Sequence, residues 1–179
     1  MSTTEGSNRA RRTAVSSGGY AVLIRGPIGV GKSTVSEALA QQIGGSWISI
    51  DRILDERGIE RWKGGFVSEA SFLRANTFAI AQASDSLARG RPAVFDGNFY
   101  WRSAVEDLDR RVGHPLHVFT LKAPLEVCLE RNRGRSPPQA DEGTRKVYAK
   151  ATGFDVGVSI DATRPLAETV AAIRSHLPR

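Results

Sequence analysis

The sequence has very little cysteine and no long apolar run, and each shortage excludes a class of protein. Cys128 is the only cysteine among 179 residues, so the chain has neither an internal disulfide nor a cysteine metal cluster. No apolar run approaches the roughly 20 residues that a membrane-spanning helix needs. No signal peptide opens the chain. We therefore expect a soluble protein in a reducing cytoplasm, without a membrane partner.

Basic residues outnumber acidic ones. The chain has 25 lysines and arginines against 19 acidic residues, which gives a net charge of +6 and a pI of about 10.0. This charge suits an anionic ligand such as a nucleotide, and it also permits binding of nucleic acid. The length of 179 residues indicates one domain with a proper core.

The first 19 residues differ in composition from the rest of the chain. Residues 1–19 are rich in Ser, Thr, Gly and Arg and lack any apolar period, which predicts a disordered tail ahead of a domain at 20–179. Its arginine cluster, Arg9, Arg11 and Arg12, is compatible with a nucleic-acid arm. Solvated leader residues are the favoured interpretation of such a charge run.

The most specific motif follows the first apolar run, Tyr20 to Ile24. It fits G-x-x-x-x-G-K-[ST] at every fixed position and leads into a predicted helix from Ser33 to Gln42. Backbone N–H groups of such a loop cradle phosphates, the lysine reaches the β/γ-phosphates, and the first hydroxyl binds Mg²⁺. The predicted ATP-binding residues here are Gly26, Pro27, Ile28, Gly29, Val30, Gly31, Lys32, Ser33 and Thr34.

Two further predicted strands each end in an aspartate. Trp47 to Asp51 closes on one carboxylate, and Arg91 to Gly97 contains the other, Asp96. Parallel sheets bind ligands at the carboxyl ends of their strands, so both carboxylates should lie opposite the phosphate-binding loop. Either carboxylate could be the base; we favour Asp51 as the base that accepts a proton, because the segment after it leads towards the acceptor, and Asp96 with Ser33 for the metal.

A basic segment follows a predicted helix from Pro124 to Arg131. Arg131, Arg133 and Arg135 precede a Ser/Pro stretch and cannot all share one helical face. A flexible lid near residues 131–145, closing over phosphates, explains them. The alternative is a solvated helix end favoured by the helix dipole.

Strands and helices alternate along the whole domain. This pattern predicts a three-layer α/β fold with a five-stranded parallel sheet flanked by helices. The last predicted strand runs from Asp155 to Ile160 and the last helix from Leu166 to Leu177. The segment from Gly58 to Gly65 is expected to be a surface loop or a mobile segment over the site.

The chain from Tyr20 onward resembles the small P-loop kinases of the shikimate kinase, gluconate kinase, chloramphenicol phosphotransferase and zeta-toxin type, which have an AAA-like ATP-binding domain. The resemblance implies the strand order 2-3-1-4-5. It implies that Asp51 orients or deprotonates the acceptor hydroxyl, and that Arg131 stacks on adenine. Arg133 or Arg135 would then stabilise the transferring phosphoryl group, and the turn at Thr163 would hold the adenine edge.

The favoured function is transfer of the γ-phosphoryl group of ATP, with Mg²⁺, to a hydroxyl of a small molecule such as an antibiotic, a sugar or a nucleoside-like compound. Catalysis would come from Lys32, Asp51, Arg133 and Arg135. One alternative is a polynucleotide 5′-hydroxyl kinase, although no aromatic-basic stripe for a single strand is visible. Another is a nucleotide-binding switch ATPase. A monomer and a homodimer are both compatible with the sequence.

Overall fold

The computed structural model describes residues 18–178. The predicted tail at 1–19, with its three arginines, therefore lies almost entirely outside the described residues. Seven strands form within the described part of the chain: β1 Ala21–Arg25, β2 Ser46–Ser49, β3 Trp62–Lys63, β4 Phe66–Val67, β5 Ala93–Gly97, β6 Leu116–Lys122 and β7 Val158–Asp161.

Helices separate the strands of the main sheet. They are α1 Lys32–Ile43, α2 Ile50–Glu56, α3 Glu69–Ala88, α4 Arg102–Arg111, α5 Leu125–Arg133, α6 Asp141–Ala151 and α7 Leu166–Arg174. In residues 18–178, no helix has the combined length and apolarity needed to cross a membrane.

The main sheet has five parallel strands in the order β2-β5-β1-β6-β7. Counted within this sheet alone, that is 2-3-1-4-5, so the predicted fold and strand order are confirmed. β1 lies at the centre of the sheet, with Ile24 in register with Asp96 on one neighbour and with Phe119 on the other. The loop that follows β1 therefore begins in the middle of the carboxyl edge.

The core occupies both faces of the sheet. Alternate side chains of β1 point to opposite faces, so Ala21 and Leu23 join one apolar cluster while Val22 and Ile24 join the other. All four are fully buried. The first cluster packs against α2, α3 and α4, and the second packs against α1, α5 and α7. Burial on both faces explains why β1 is a continuous apolar run and not an alternating one.

A buried arginine joins the carboxyl edge of the sheet to the end of α6. Arg25 has no exposed surface and donates to four oxygens: Ala151 O at 2.7 Å, Thr120 Oγ1 at 3.1 Å, Phe154 O at 3.2 Å and Phe99 O at 3.3 Å. Burial lowers the pKa of its guanidinium to about 10. Its position directly before Gly26 ties the base of the phosphate-binding loop to α6, the helix that follows the predicted lid segment.

Three local predictions were wrong. β2 ends at Ser49, not at Asp51, because Ser49 has extended backbone and its side chain accepts from Arg52 N, which starts α2 at Ile50. The segment around Gly64 forms the antiparallel β3–β4 hairpin. β7 begins only at Val158, because Gly157 has a φ of +69° and interrupts the extended backbone.

Candidate active site

The phosphate-binding loop fits tightly between β1 and α5. Gly29 has a φ of +80°, and a Cβ at this position would lie 2.1 Å from the carbonyl oxygen of Cys128. Gly31, the N-cap of α1, has a φ of +102° and offers no side chain to the helix N-terminus. The first N–H groups of α1 are therefore free of a side-chain cap, as an anion-binding loop requires.

Lys32 lies in the first turn of α1 with only 7% of its surface exposed. Its Nζ donates to Pro27 O and to Asn98 Oδ1, both at 2.9 Å. Burial lowers the pKa of the ammonium group, while the negative charges of Asp51 and Asp96 oppose that shift. The lysine is thus held inside the loop, with both predicted carboxylates near enough to stabilise its charge.

Asp51 reaches the site from the first turn of α2 and is half-buried. Burial raises the pKa of its carboxyl, and three groups oppose the increase: the Lys32 ammonium, the main-chain N–H of Asn98 and the Arg135 guanidinium. Although the predicted strand end was wrong, the first turn of a helix that follows β2 brings the same carboxylate to the carboxyl edge of the sheet.

Asp96 lies on β5 and is fully buried. Its Oδ2 accepts from the indole Nε1 of Trp47 at 2.7 Å, and its Oδ1 has no hydrogen-bond partner within residues 18–178. Burial raises the pKa of this carboxyl, and the Trp47 N–H is the chief group that opposes the increase. Trp47 is also covered by Arg52, whose guanidinium lies 4.9 Å from the ring centroid. Asp96 therefore has one oxygen fixed by a hydrogen bond and one buried oxygen that remains available to a ligand.

The hydroxyl residues after Lys32 face outward. Ser33 and Thr34 are both exposed in the first turn of α1. The Ser33 hydroxyl and the open oxygen of Asp96 are hard oxygen ligands of the kind that Mg²⁺ takes, usually with only one or two carboxylates and several waters. An unpartnered buried carboxylate oxygen is costly in isolation, so these residues fit the metal that the sequence predicts.

Arg131 contacts the phosphate-binding loop directly. Its Nη1 donates to Ala162 O at 2.9 Å and to Val30 O at 3.2 Å, so the side chain bridges the loop and the turn after β7. In that turn, Asp161 Oδ1 accepts from the main-chain N–H and the hydroxyl of Thr163, at 2.9 and 2.6 Å. Two residues predicted for adenine are therefore brought to the same side of the loop.

The other two arginines are separated by the structure. Arg133 lies in the last turn of α5 and forms an ion pair with Asp141, the first residue of α6. Arg135 follows the helix, and its charge acts on both Lys32 and Asp51. The segment between α5 and α6 is fastened by Asn132, whose side chain donates to Gln139 O at 2.7 Å and accepts from Gln139 N at 3.2 Å.

Asn98 is one of two residues at the candidate site that the sequence interpretation missed. Its side-chain oxygen accepts from Lys32, 66 positions away in sequence, and its main-chain N–H faces the Asp51 carboxylate. The strand-end sequence Asp96-Gly97-Asn98 indicated where Asn98 lies but not which residue it contacts. Trp47 was missed as well, because nothing local shows that an indole on β2 meets a carboxylate on β5.

Comparison with known protein families identifies the family to which this domain belongs. A family model described as "AAA domain" matches residues 22–153, which include the phosphate-binding loop, Asp51, Asp96 and all three lid arginines. The chain belongs to this AAA-domain family. A search of curated proteins found no match.

Solved structures share the fold of this AAA-domain chain. A gluconokinase from Sinorhizobium meliloti 1021 is 19% identical with a TM-score of 0.65, over 87% of this chain and 90% of the other. The tunicamycin resistance protein of Deinococcus radiodurans is 21% identical with a TM-score of 0.63, over 89% and 97%. Shikimate kinase from Aquifex aeolicus vf5 is 17% identical with a TM-score of 0.60, over 87% and 94%. The family model confirms the expected AAA-like domain, and these structures confirm the expected small P-loop kinase fold.

Proposed function

We propose that the protein is an ATP- and Mg²⁺-dependent kinase that transfers the γ-phosphoryl group to a hydroxyl of a small molecule such as an antibiotic, a sugar or a nucleoside-like compound. The observation that carries this proposal is the geometry of Lys32, which is buried in the motif loop and donates to Pro27 O and Asn98 Oδ1, while the charges of Asp51 and Asp96 act on it from the carboxyl edge of the sheet. One carboxylate suits the metal and leaves the second for the acceptor hydroxyl.

Ser33 and Asp96 are the proposed metal residues. The hydroxyl of Ser33 is exposed at the start of α1, and Oδ1 of Asp96 is the buried oxygen without a partner. When bound, Mg²⁺ would neutralise charge on the β- and γ-phosphate oxygens. Trp47 holds the other oxygen of Asp96 and so fixes the direction in which Oδ1 points.

Positive groups of the chain would hold the phosphates and meet the charge of the transferring group. Lys32 and the free N–H groups of α1 bind the phosphates. Of the two arginines considered for the transferring group, Arg135 is favoured because its charge already acts on Lys32 and Asp51, whereas Arg133 is paired with Asp141. Preorganised charge of this kind is the main source of catalysis in phosphoryl transfer.

The proposed adenine site lies on the other side of the loop. Arg131 would stack on the base, and the turn at Thr163 would hold its edge. Supporting this placement, the Arg131 guanidinium already bridges Val30 of the loop and Ala162 of the turn.

Asp51 is the proposed general base. A base works best when its pKa lies near the operating pH, and burial raises the pKa of the Asp51 carboxyl in that direction. Its place in the first turn of α2 puts it beside the segment that leads to the β3–β4 hairpin, where we place the acceptor. General-base help is worth about 10²–10⁴-fold in rate.

The experiment that tests this function is an acceptor screen with γ-labelled ATP. The panel contains antibiotics, sugars and nucleosides, together with a 5′-hydroxyl oligonucleotide. We expect label on at least one small-molecule hydroxyl with the wild-type protein and none with Lys32→Ala, which should retain the fold because Lys32 serves phosphate and not the core. Labelling of the oligonucleotide alone would replace the small-molecule acceptor with a polynucleotide. Label released only as inorganic phosphate would overturn the kinase.

A further inference from the structure

The bond between Lys32 and Asn98 uses a donor of the lysine that serves nucleotide phosphates in this sequence motif. Lys32 Nζ lies in the phosphate-binding loop and meets Asn98 Oδ1 at 2.9 Å. In the nucleotide complex, a lysine of this motif gives its charge to the β/γ-phosphate oxygens. The asparagine oxygen therefore satisfies a donor that the phosphate oxygens would otherwise satisfy.

The turn that carries Asn98 is held in an unusual conformation. Phe99, the next residue, has a φ of +40° although it has a side chain, and it is fully buried against Phe72 at a ring separation of 5.8 Å. Its carbonyl accepts from Arg25 Nε at 3.3 Å. On the other side, a Cβ at Gly97 would lie 3.0 Å from Ile50 Cβ and 3.1 Å from the Phe99 ring. Strained backbone persists only where its surroundings determine it, so the position of Asn98 is fixed from both sides.

The side-chain oxygen of Asn98 that accepts from Lys32 carries no net charge. Lys32 lies near the carboxylates of Asp51 and Asp96, yet its Nζ is hydrogen-bonded to two neutral oxygens, Pro27 O and Asn98 Oδ1. A neutral acceptor competes weakly with a phosphate, whereas a carboxylate in the same place would compete strongly. A charged phosphate oxygen can thus displace the neutral amide oxygen from Lys32.

We propose that Asn98 is a positioning residue whose side-chain oxygen takes the place of a phosphate oxygen. In the nucleotide-free protein it holds Lys32 inside the loop, and it releases the lysine when a nucleotide binds. This inference rests on the proposed nucleotide site. Nζ of Lys32 has three N–H donors, and Pro27 O and Asn98 Oδ1 occupy two of them. Donation to both a β- and a γ-phosphate oxygen needs two donors, so the Lys32–Asn98 bond breaks when both phosphates are bound, and it thereby lowers the affinity of the wild-type protein for such nucleotides.

The test is calorimetric titration with Mg·ATP and with adenosine, in the absence of any acceptor. Asn98→Ala removes the internal competitor, so ATP should bind about ten- to a hundredfold tighter, the range set by one hydrogen bond from a charged donor. Asn98→Asp puts a charged competitor on Lys32, and ATP should bind at least about tenfold weaker. Adenosine, which has no phosphate, should bind all variants equally.

Asn76→Ala is the matched control. Asn76 is a fully buried asparagine, whereas Asn98 is half-buried, and Asn76 donates to Ala104 O at 2.9 Å and Asp107 Oδ2 at 3.0 Å between α3 and α4. Its loss should lower the free energy of unfolding and leave the ATP affinity unchanged. A merely structural role for Asn98 would make Asn98→Ala behave in the same way.

The outcomes separate this inference from the proposed function. ATP binding to Asn98→Ala that is equal to or weaker than wild type would overturn the stand-in role and leave the kinase proposal intact. If Asn98→Ala bound adenosine and ATP with the same increase in affinity, the stand-in role would be overturned too, because the increase would not depend on the phosphates. Tighter ATP binding together with a failed acceptor screen would support the stand-in role and overturn only the kinase.

Discussion

Gly29→Ala is expected to damage both stability and nucleotide binding, because the loop passes very close to α5 at this residue. An added Cβ would lie 2.1 Å from Cys128 O, whereas ordinary contacts begin at 3.4 Å. The loop or α5 must therefore move by more than about 1 Å, a displacement that can cost about 100-fold in a catalytic site. The φ of +80° adds about 1–2 kcal/mol of backbone strain.

Gly44→Ala separates these two effects. Gly44 has a φ of +65°, yet no atom lies within 4 Å of a Cβ built there. The Gly44→Ala variant should lose about 1–2 kcal/mol of unfolding free energy in urea and should bind ATP with the wild-type affinity. Gly29→Ala should lose about 2–5 kcal/mol, since overpacking adds to the same strain. Its dissociation constant for Mg·ATP should rise about 10- to 100-fold as N–H contacts to phosphate are lost. Equal ATP affinities of the two variants would refute the reasoning.

Three further predictions concern the arginines and the metal. Arg135→Ala should lower kcat more than Arg133→Ala does, since Arg133 is paired with Asp141; the reverse order in steady-state kinetics would exchange the two roles. Asp96→Asn should raise the Mg²⁺ concentration needed for half-maximal activity, and an unchanged Mg²⁺ titration would remove Asp96 from the metal site. Arg25→Met should lose about 3–5 kcal/mol of unfolding free energy in urea, because four hydrogen bonds from a buried cation disappear; a loss under about 1 kcal/mol would contradict that account.

Much of the fold was predictable because its signals are local. The apolar run of β1, the glycine motif and the helix after it occur in the order that a phosphate-binding loop requires, and the structure has them in that order. The β3–β4 hairpin also had a local signal, since Gly64-Gly65 separates two short runs in the manner of a two-residue turn. Ser49 as an N-cap before Asp51 was another, and it would have placed α2 correctly.

The rest of the site depends on contacts between residues that are far apart in sequence. Asn98 reaches Lys32 across 66 positions, and Trp47 reaches Asp96 across 49. Neither pairing has a local pattern, because it follows from which strands are neighbours in the sheet and how far each extends. The sequence likewise shows three arginines in the predicted lid segment, but it does not show that Arg133 pairs with Asp141.

The most direct test of the kinase account is single-turnover transfer of labelled phosphoryl from saturating Mg·ATP to the identified acceptor by Asp51→Asn. Asparagine keeps the shape of the side chain and removes the proton acceptor. The account predicts a transfer rate lower by about 10²–10⁴-fold, with an unchanged dissociation constant for Mg·ATP. A wild-type transfer rate would contradict it, and so would an equal loss of transfer and of ATP binding, because Asp51 would then serve the nucleotide and not the acceptor.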